Sequence, residues 1–168
     1  MKSINEVKQF IIELLKLFPN NETDLAHIGK AYYYANRYAL EDHGTLVSTH
    51  SCVKLDYGPG IDDYREIIDD LKDEGRIYKK NRYNIGLKDD KGYEDFVKFP
   101  EVVLESIQKA YSTVKDKDFS QLTDETHSFQ SYKKAPRYSV IDYSDDIFTK
   151  DEINEAKSFL ENIPVFKK

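Results

Sequence analysis

Four histidines and a single cysteine are the side chains in this sequence that could ligate a metal ion or act as nucleophiles. The histidines stand at positions 27, 43, 50 and 127, without the spacing that metal sites show. His27 follows Asp24 on one helical face and could share a metal ion with it, but we expect this face to be solvated surface. Cys52 is typical of a small core residue. The sequence therefore predicts no metal site and no cofactor.

Pairs of adjacent acidic residues are frequent, but their geometry does not suit acid–base catalysis. Neighbours on a helix point about 100° apart, so two adjacent carboxylates do not converge on one substrate atom. No nucleophile elbow, kinase signature or zincin motif is present. We therefore predict that the chain is not an enzyme and that its acidic pairs form solvated faces. These pairs are Asp62-Asp63, Asp69-Asp70, Asp89-Asp90 and Asp145-Asp146.

The stretch Gly58-Pro59-Gly60 raises the question of a phosphate-binding loop. It lacks the patterns of a P-loop and of a dinucleotide-binding loop. Asp62 and Asp63 would stand in the first turn of the following helix and repel a phosphate, and Pro59 removes an amide donor. We therefore expect a hinge that reverses the chain from a strand into a helix.

Basic and aromatic residues alternate in two clusters, 78–83 and 132–138, as they do on some nucleic-acid-binding surfaces. The first cluster places Lys79, Lys80 and Arg82 in a predicted hairpin, where a winged helix has its wing. The preceding helix, 62–74, carries seven acidic residues against two basic ones, which disfavours its entry into a DNA groove. Nucleic-acid binding through this hairpin is the alternative hypothesis, and solvated loops are an equally good interpretation of both clusters.

Composition and charge describe an ordinary globular protein. The 168 residues carry a net charge of −6, which gives no general attraction to nucleic acid or anionic lipid. One cysteine permits no intramolecular disulfide, and the first residues lack the apolar run of a signal peptide. The apolar stretch at 10–18 is too short to cross a bilayer. We expect a cytoplasmic protein without membrane contact.

Helical spacing of apolar residues dominates the chain. Ser3 and Glu6 have the spacing of a capping box, Thr23 or Asp24 can cap the second helix, and Gly75 can end the third. The fold class is therefore α+β, mostly α, with five or six helices and a small antiparallel sheet or hairpin. Predicted helices span 3–18, 24–44, 62–74, 100–114 and 149–163, with one or two short ones in 119–135; predicted strands lie within 46–57, 76–78, 82–85 and 93–99, and 136–148 is irregular.

The second predicted helix carries two lines of residues at helical spacing. An apolar line should face the core. A polar line repeats at steps of three and four and should form one stripe, called here the polar line. The apolar line is Leu25, Ile28, Tyr32, Ala35 and Ala39, and the polar line is His27, Lys30, Tyr34, Arg37 and Glu41.

Two segments of the chain carry motifs at characteristic spacing. The first segment contains Tyr34-Ala35-Asn36-Arg37, His43-Gly44, Tyr57-Gly58-Pro59 and Glu74-Gly75-Arg76-Ile77, and the second contains Leu122, Thr126, His127, Tyr132 and Ala135. Together they resemble the Panacea domain of SocA-like, phage-associated antitoxins. The resemblance covers residues 4–136, and it departs from the family pattern before the strand, after Pro59, and at Tyr132, where Trp is usual.

The resemblance implies an antitoxin-like protein-interaction module. Such a module binds and neutralises a protein toxin, encoded by an adjacent gene, and in one type of the family it delivers the toxin to a protease. It also implies a domain over residues 1–136, with 137–168 as a C-terminal extension that ends in a helix. On this basis we predict Tyr34, Arg37, Tyr57 and Tyr132 as contact or contact-supporting positions; half-buried core is the alternative for the tyrosines.

Five further signature residues are expected to have structural roles: Gly58, Pro59, Gly75, Thr126 and His127. For Thr126-His127 two interpretations are open. The pair could be presented beside Tyr132 at a binding surface. Alternatively, His127 hydrogen-bonds a buried carbonyl and fixes the short helices against the second helix, and the combination of a Thr, a His and a distant aromatic favours this structural interpretation.

Overall fold

The computed structural model describes residues 2–89, 94–148 and 150–163. These ranges contain eight α-helices and two small antiparallel sheets, which confirms the predicted α+β, mostly helical class with a slightly higher helix count. The helices are α1 (Lys2–Leu17), α2 (Leu25–His43), α3 (Tyr64–Asp73), α4 (Glu101–Val114), α5 (Phe119–His127), α6 (Gln130–Lys134), α7 (Ser144–Ile147) and α8 (Lys150–Glu161). The strands are β1 (Glu22–Asp24), β2 (Cys52–Leu55), β3 (Gly58–Ile61), β4 (Ile77–Lys79) and β5 (Asn84–Leu87).

Helix α2 lies at the centre of the fold and is buried over most of its circumference. Its apolar line packs against α1 and α4, and the ring of Tyr32 meets that of Phe10 edge to face, with centroids 5.2 Å apart. The helix begins where predicted, because the Asp24 carboxylate accepts a hydrogen bond from the His27 backbone N–H at 2.8 Å. It ends at Gly44 in the left-handed conformation. The apolar residues of α4 at spacings of three and four are all buried: Val103, Ile107, Ala110 and Val114.

One sheet has the strand order β1-β5-β4. Its β4–β5 hairpin confirms the predicted one, with Tyr78 opposite Gly86. Strand β1 was not predicted, because three residues are too few to show an alternating pattern. Gly75, which separates α3 from this hairpin, has a φ of 74°, the left-handed conformation expected of it.

The second sheet corrects the prediction for Gly58-Pro59-Gly60. These residues do not form a hinge; they form strand β3, which pairs with β2 so that Leu55 faces Gly58 and Cys52 faces Ile61. The chain reverses before them, at residues 56–57. A run of glycine and proline has low intrinsic strand propensity, so local pattern could not indicate this pairing.

At two other places the structure contains no strand where one was predicted. Residues 46–51 form no strand, because the buried Asn36 side chain accepts the backbone N–H groups of Val47 and Ser48. Residues 94–99 form none either, since the Gln9 side chain accepts the Phe96 N–H at 2.7 Å in place of a strand partner. Residue 93 and the polar loop at 90–92 lie outside the described residues.

Residues 138–141 are hydrogen-bonded to strand β2 of the β2–β3 hairpin. The N–H of Lys54 donates to the Ser139 carbonyl, and the N–H groups of Tyr138 and Ile141 donate to Lys54 and Cys52. The segment predicted as irregular contains the short helix α7, whose Asp146 accepts hydrogen bonds from Tyr33 and Ser131. Helix α8 is mostly exposed, and residue 149, where this helix is predicted to begin, lies outside the described residues. The division at residue 136 stays a prediction.

His27 fixes the connection between α4 and α5 to the start of α2. Contrary to the expectation of a solvated face, its side chain is buried. Its Nδ1 lies 2.7 Å from Asp24 Oδ2 and its Nε2 lies 2.7 Å from the Lys117 carbonyl. Both partners are acceptors, so the ring satisfies both only when both nitrogens carry a proton.

This geometry predicts a pH-dependent contribution to stability. Burial opposes both charges, but the mutual hydrogen bond outweighs it and raises the pKa of His27 above 6.5 and lowers that of Asp24 below 3.8. The His27 contribution is full below pH 6.5 and is lost as pH rises through the folded-state pKa; the Asp24 contribution is present above pH 3.8 and is lost as pH falls through its folded-state value. The pair therefore stabilises the fold most between these limits.

His27→Gln should reduce the free energy of unfolding more at about pH 5.5 than at about pH 8.5. Urea denaturation at both pH values measures this difference. His43→Gln, at an exposed histidine near the other end of α2, is the matched control. An equal loss at both pH values would contradict a protonated His27 in the folded protein.

Candidate functional site

The polar line of α2 contributes Lys30 to the candidate site, and most of the line is buried. The side chains of His27, Lys30 and Tyr34 are covered, while Arg37 is partly buried and Glu41 is exposed. The covering elements include α5 and the hairpin β2–β3. The line is therefore an interior seam rather than a stripe on the surface.

Tyr34 supports this seam from the inside. Its hydroxyl donates to Glu125 Oε1 at 2.6 Å, and Lys117 Nζ pairs with the other oxygen of the same carboxylate at 2.5 Å. Burial opposes the charge of Glu125, but these two hydrogen bonds outweigh it, so its pKa lies below the ordinary value. A buried tyrosine cannot touch a partner directly. Of the two roles predicted for Tyr34, support of a contact is the one its position favours.

Arg37 continues the seam towards the surface. Its guanidinium lies over the Phe129 ring, 5.3 Å from the centroid, which is cation–π geometry. Its Nε is buried without a hydrogen-bond partner among the described residues. The helix thus presents a partly buried cation held by an aromatic ring.

In the second of the two segments that resemble the family, the contacts centre on Tyr132. Its ring stacks on His127 with centroids 4.5 Å apart, and its hydroxyl donates to the Leu55 carbonyl at the end of β2. Thr126 is fully buried and donates to the Leu122 carbonyl at 2.8 Å. The expected hydrogen bond from His127 to a buried carbonyl is not made in the described part of the chain; stacking on Tyr132 takes its place.

At Gly58, the first of these two segments lies against the second. A Cβ at this position would lie 2.7 Å from Thr126 Oγ1 and 2.8 Å from Lys30 Cε, closer than such atoms approach. The backbone there also has a φ of 124°, which side chains rarely adopt. The absence of a side chain therefore lets β3 lie between α2 and α5.

A cleft of about 680 Å³ opens beside this meeting point, between α2, the β2–β3 hairpin and the start of α3. Three exposed aromatic side chains line it: Tyr57 is 62% exposed, Tyr83 is 59% exposed and Phe119 is 48% exposed. The rings of Tyr57 and Phe119 touch at a centroid distance of 5.4 Å, and the Tyr83 carbonyl accepts the Leu25 N–H at 2.8 Å. Exposed aromatics around a concave surface are typical of protein-binding sites.

Lys30 also lines the cleft, although the side chain is only 4% exposed. Burial lowers the pKa of Lys30 to about 8. Its Nζ lies over the Phe119 ring, 5.8 Å from the centroid. Neither Lys30 nor Phe119 was given a site role in the sequence prediction. A lysine between Gly29 and Ala31 on a largely apolar helix was the available signal.

Of the four predicted contact positions, only Tyr57 combines exposure with the cleft. Tyr132 is buried behind the hairpin that carries Tyr57, and Tyr34 and Arg37 lie along the seam. Gly58 and Pro59 line the cleft as backbone, whereas Gly75 ends α3. The roles predicted for these residues stay predictions.

The basic hairpin of the alternative hypothesis is partly neutralised. Lys79 pairs with Asp69 at 2.5 Å and Lys80 with Glu22 at 3.0 Å. Arg82 instead lies over the Tyr83 ring, 5.3 Å from the centroid. Two of the three cations thus have acidic neighbours within the protein.

The part of the chain that the structure covers contains neither a candidate metal site nor a reactive thiol. No group of three or more His, Cys, Asp or Glu there could hold a metal ion. Cys52 is buried as predicted, and burial raises its pKa to about 12, so the thiol stays protonated. Within the same ranges, no helix has the length and apolarity needed to cross a membrane.

The close approach at Gly58 predicts a large loss of stability for Gly58→Ala. We expect the free energy of unfolding to fall by about 3 kcal/mol, because the new methyl group combines a strained φ with overpacking. Gly44→Ala is the matched control, since Gly44 also has a positive φ but open space around it, and it should cost about 1 kcal/mol. Chemical denaturation measures both; similar losses would show that packing against Thr126 and Lys30 is unimportant.

Comparison with known proteins gives one match. The chain matches the sequence model of the family described as antitoxin SocA-like, Panacea domain, over residues 28–133, more than half of its length. This range includes the hairpin β2–β3, Tyr83 and Phe119. Neither the curated proteins nor the solved structures contain a significant match. The chain therefore belongs to the family of SocA-like antitoxins with a Panacea domain.

Proposed function

We propose that this protein is an antitoxin that binds a protein toxin directly and thereby neutralises it. The observation that carries the proposal is the cleft with three exposed aromatic side chains within a matched antitoxin domain. Tyr57 contacts the toxin, and Tyr34, Arg37 and Tyr132 hold the elements that present it. The partner is the product of an adjacent gene.

Large apolar side chains at a protein interface contribute most of its binding energy when they are buried by the partner. Tyr57 and Tyr83 have most of their surface free, and both are held on hairpins whose backbones are hydrogen-bonded to the rest of the fold. Such preorganised aromatic anchors bind at low entropic cost. This arrangement supports binding rather than catalysis.

The test is a growth assay with the adjacent gene. We expect its product to kill cells when expressed alone and co-expression of this protein to restore colony formation. A harmless neighbour would contradict the proposal.

In the same assay, the double variant Tyr57→Ala/Tyr83→Ala should restore fewer colonies than the native protein. Each truncation should cost about 2 kcal/mol of binding free energy, roughly thirty-fold in Kd, which titration calorimetry on the purified pair measures. Tyr138→Ala is the matched control, because Tyr138 is 58% exposed and does not line the cleft. Unchanged affinity in the double variant would contradict the role of the cleft.

Neutralisation by delivery to a protease requires the same contact and differs in the fate of the toxin. A pulse-chase experiment separates the two routes. If the protein acts as a proteolytic adaptor, the toxin half-life shortens when both are expressed. If it acts by blocking, the half-life is unchanged or longer while cells survive.

The alternative function, nucleic-acid regulation by a protein encoded on a mobile element, depends on the basic hairpin. Changing Lys79 and Lys80 together to Ala should leave toxin rescue intact, because neither side chain lines the cleft, whereas Arg82 does. Binding of a labelled DNA duplex should fall steeply between low and physiological salt and be lost in this double variant. Loss of rescue in that variant would instead place this hairpin in the toxin contact.

A further inference from the structure

Positive charge is concentrated in the cleft, although the protein as a whole is acidic, with a net charge of −6. Lys30, Arg65 and Arg82 all line it, and none of the three belongs to an ion pair within the described residues. The acidic group in the lining, Asp24, is already committed to His27. The cleft therefore attracts an anionic group that the surrounding surface would repel.

Lys30 is the most deeply buried of these three cations, since Arg65 and Arg82 are exposed. Its aliphatic stem packs where Gly58 has no side chain: the position of a Cβ at Gly58 lies 3.1 Å from Lys30 Nζ. Among residues 2–89, 94–148 and 150–163, no hydrogen-bond acceptor or carboxylate lies within bonding distance of the ammonium. Asp24 attracts it only from a longer distance, and the centroid of the Phe119 ring is 5.8 Å away. Burying a charge without a partner costs free energy, which an incoming carboxylate would recover.

The walls around Lys30 are apolar and aromatic. Tyr57 and Phe119 stand on one side, and Tyr83 stands on the loop that the Leu25 N–H holds over the start of α2. The volume of about 680 Å³ lies within the range of about 300 to 1,000 Å³ that encloses compact ligands. That is room for a few side chains and too little for a folded domain.

We propose that the cleft receives a short segment of the toxin that places an Asp or Glu carboxylate against Lys30 and an apolar side chain against Tyr57, Tyr83 and Phe119. This inference rests on the proposed function and specifies the chemistry of the partner. The carboxylate supplies the missing acceptor, and the apolar neighbour covers the exposed rings. Specificity arises because a neutral segment would leave the ammonium buried and unpaired.

Binding is first tested without the toxin, with a random dodecapeptide library displayed on phage and the full-length protein as bait. We expect enriched peptides that combine an acidic residue with a neighbouring aromatic or aliphatic one. A synthetic peptide from this pool should bind at least about thirty-fold more weakly to Lys30→Met than to the native protein, measured by fluorescence polarisation. Its version with Gln in place of Glu should be weakened similarly.

Two further variants make the test specific. Lys30→Arg retains the charge and should keep part of the affinity. Lys109→Met removes an exposed lysine of α4 that pairs with Asp42, and should change nothing. Lys30→Met should also raise the melting temperature, since it replaces a buried unpaired charge with an apolar side chain of similar shape. Greater stability together with lost binding is a result that a merely structural lysine would not give.

The inference is overturned if no peptide is enriched, if enriched peptides bind Lys30→Met equally, or if a DNA oligonucleotide displaces them. The growth assay separates this failure from that of the proposed function. If the neighbouring gene kills and Lys30→Met rescues fully, the toxin does not use Lys30 and the antitoxin function stands. If the neighbour is harmless, the antitoxin proposal fails, and the peptide measurements still decide what the cleft binds.

Discussion

The close approach of strand β3 to helix α2 is the constraint on which the rest of the structure depends. At Gly29 a Cβ would lie 3.2 Å from the Pro59 carbonyl oxygen, and Gly58 is crowded by Thr126 and Lys30. The absence of a side chain at Gly58 makes this close approach possible, and a side chain at Gly29 would require the strand to shift away from the helix. Once the strand is in place, α5 closes over the seam and the hairpin tip reaches Phe119. One steric requirement thus joins segments that are nearly seventy residues apart in sequence.

Sequence reasoning succeeded at several helix boundaries that a local rule decides, although α1 already begins at Lys2, before the Ser3 cap that the capping-box spacing predicts. Asp24 and Gly44 bound α2, and Gly75 follows α3, because caps act within one helical turn. It failed for β3, whose pairing depends on β2 and α2 rather than on the residues themselves. Periodicity also grouped the polar line of α2 correctly on one face, but it could not tell that α5, far along the chain, covers it. The cleft was missed for the same reason.

The buried polar groups of the seam differ in whether they have a hydrogen-bond partner within the fold. Tyr34 and Glu125 satisfy each other, and His27 is held between two acceptors. The hydrogen bonds within each pair offset the free energy lost when the polar groups are buried. These groups therefore have little hydrogen-bonding capacity left for a ligand. Lys30 lies on the same helix face and keeps its charge beside an open cleft. The contrast separates Tyr34 and His27, whose polar groups bond within the fold, from Lys30, for which we propose a role in recognition.

The hydrogen bonds between residues 138–141 and strand β2 have a consequence for solubility. An uncovered strand edge is a template for pairing with other chains, and it is a common starting point for aggregation. Here the chain covers that edge with its own later segment, through Lys54 and Cys52. Shortening the protein to its matched family region would therefore remove this cover. Residues 138–141 thus protect the edge of a two-stranded sheet that is too small to be stable on its own.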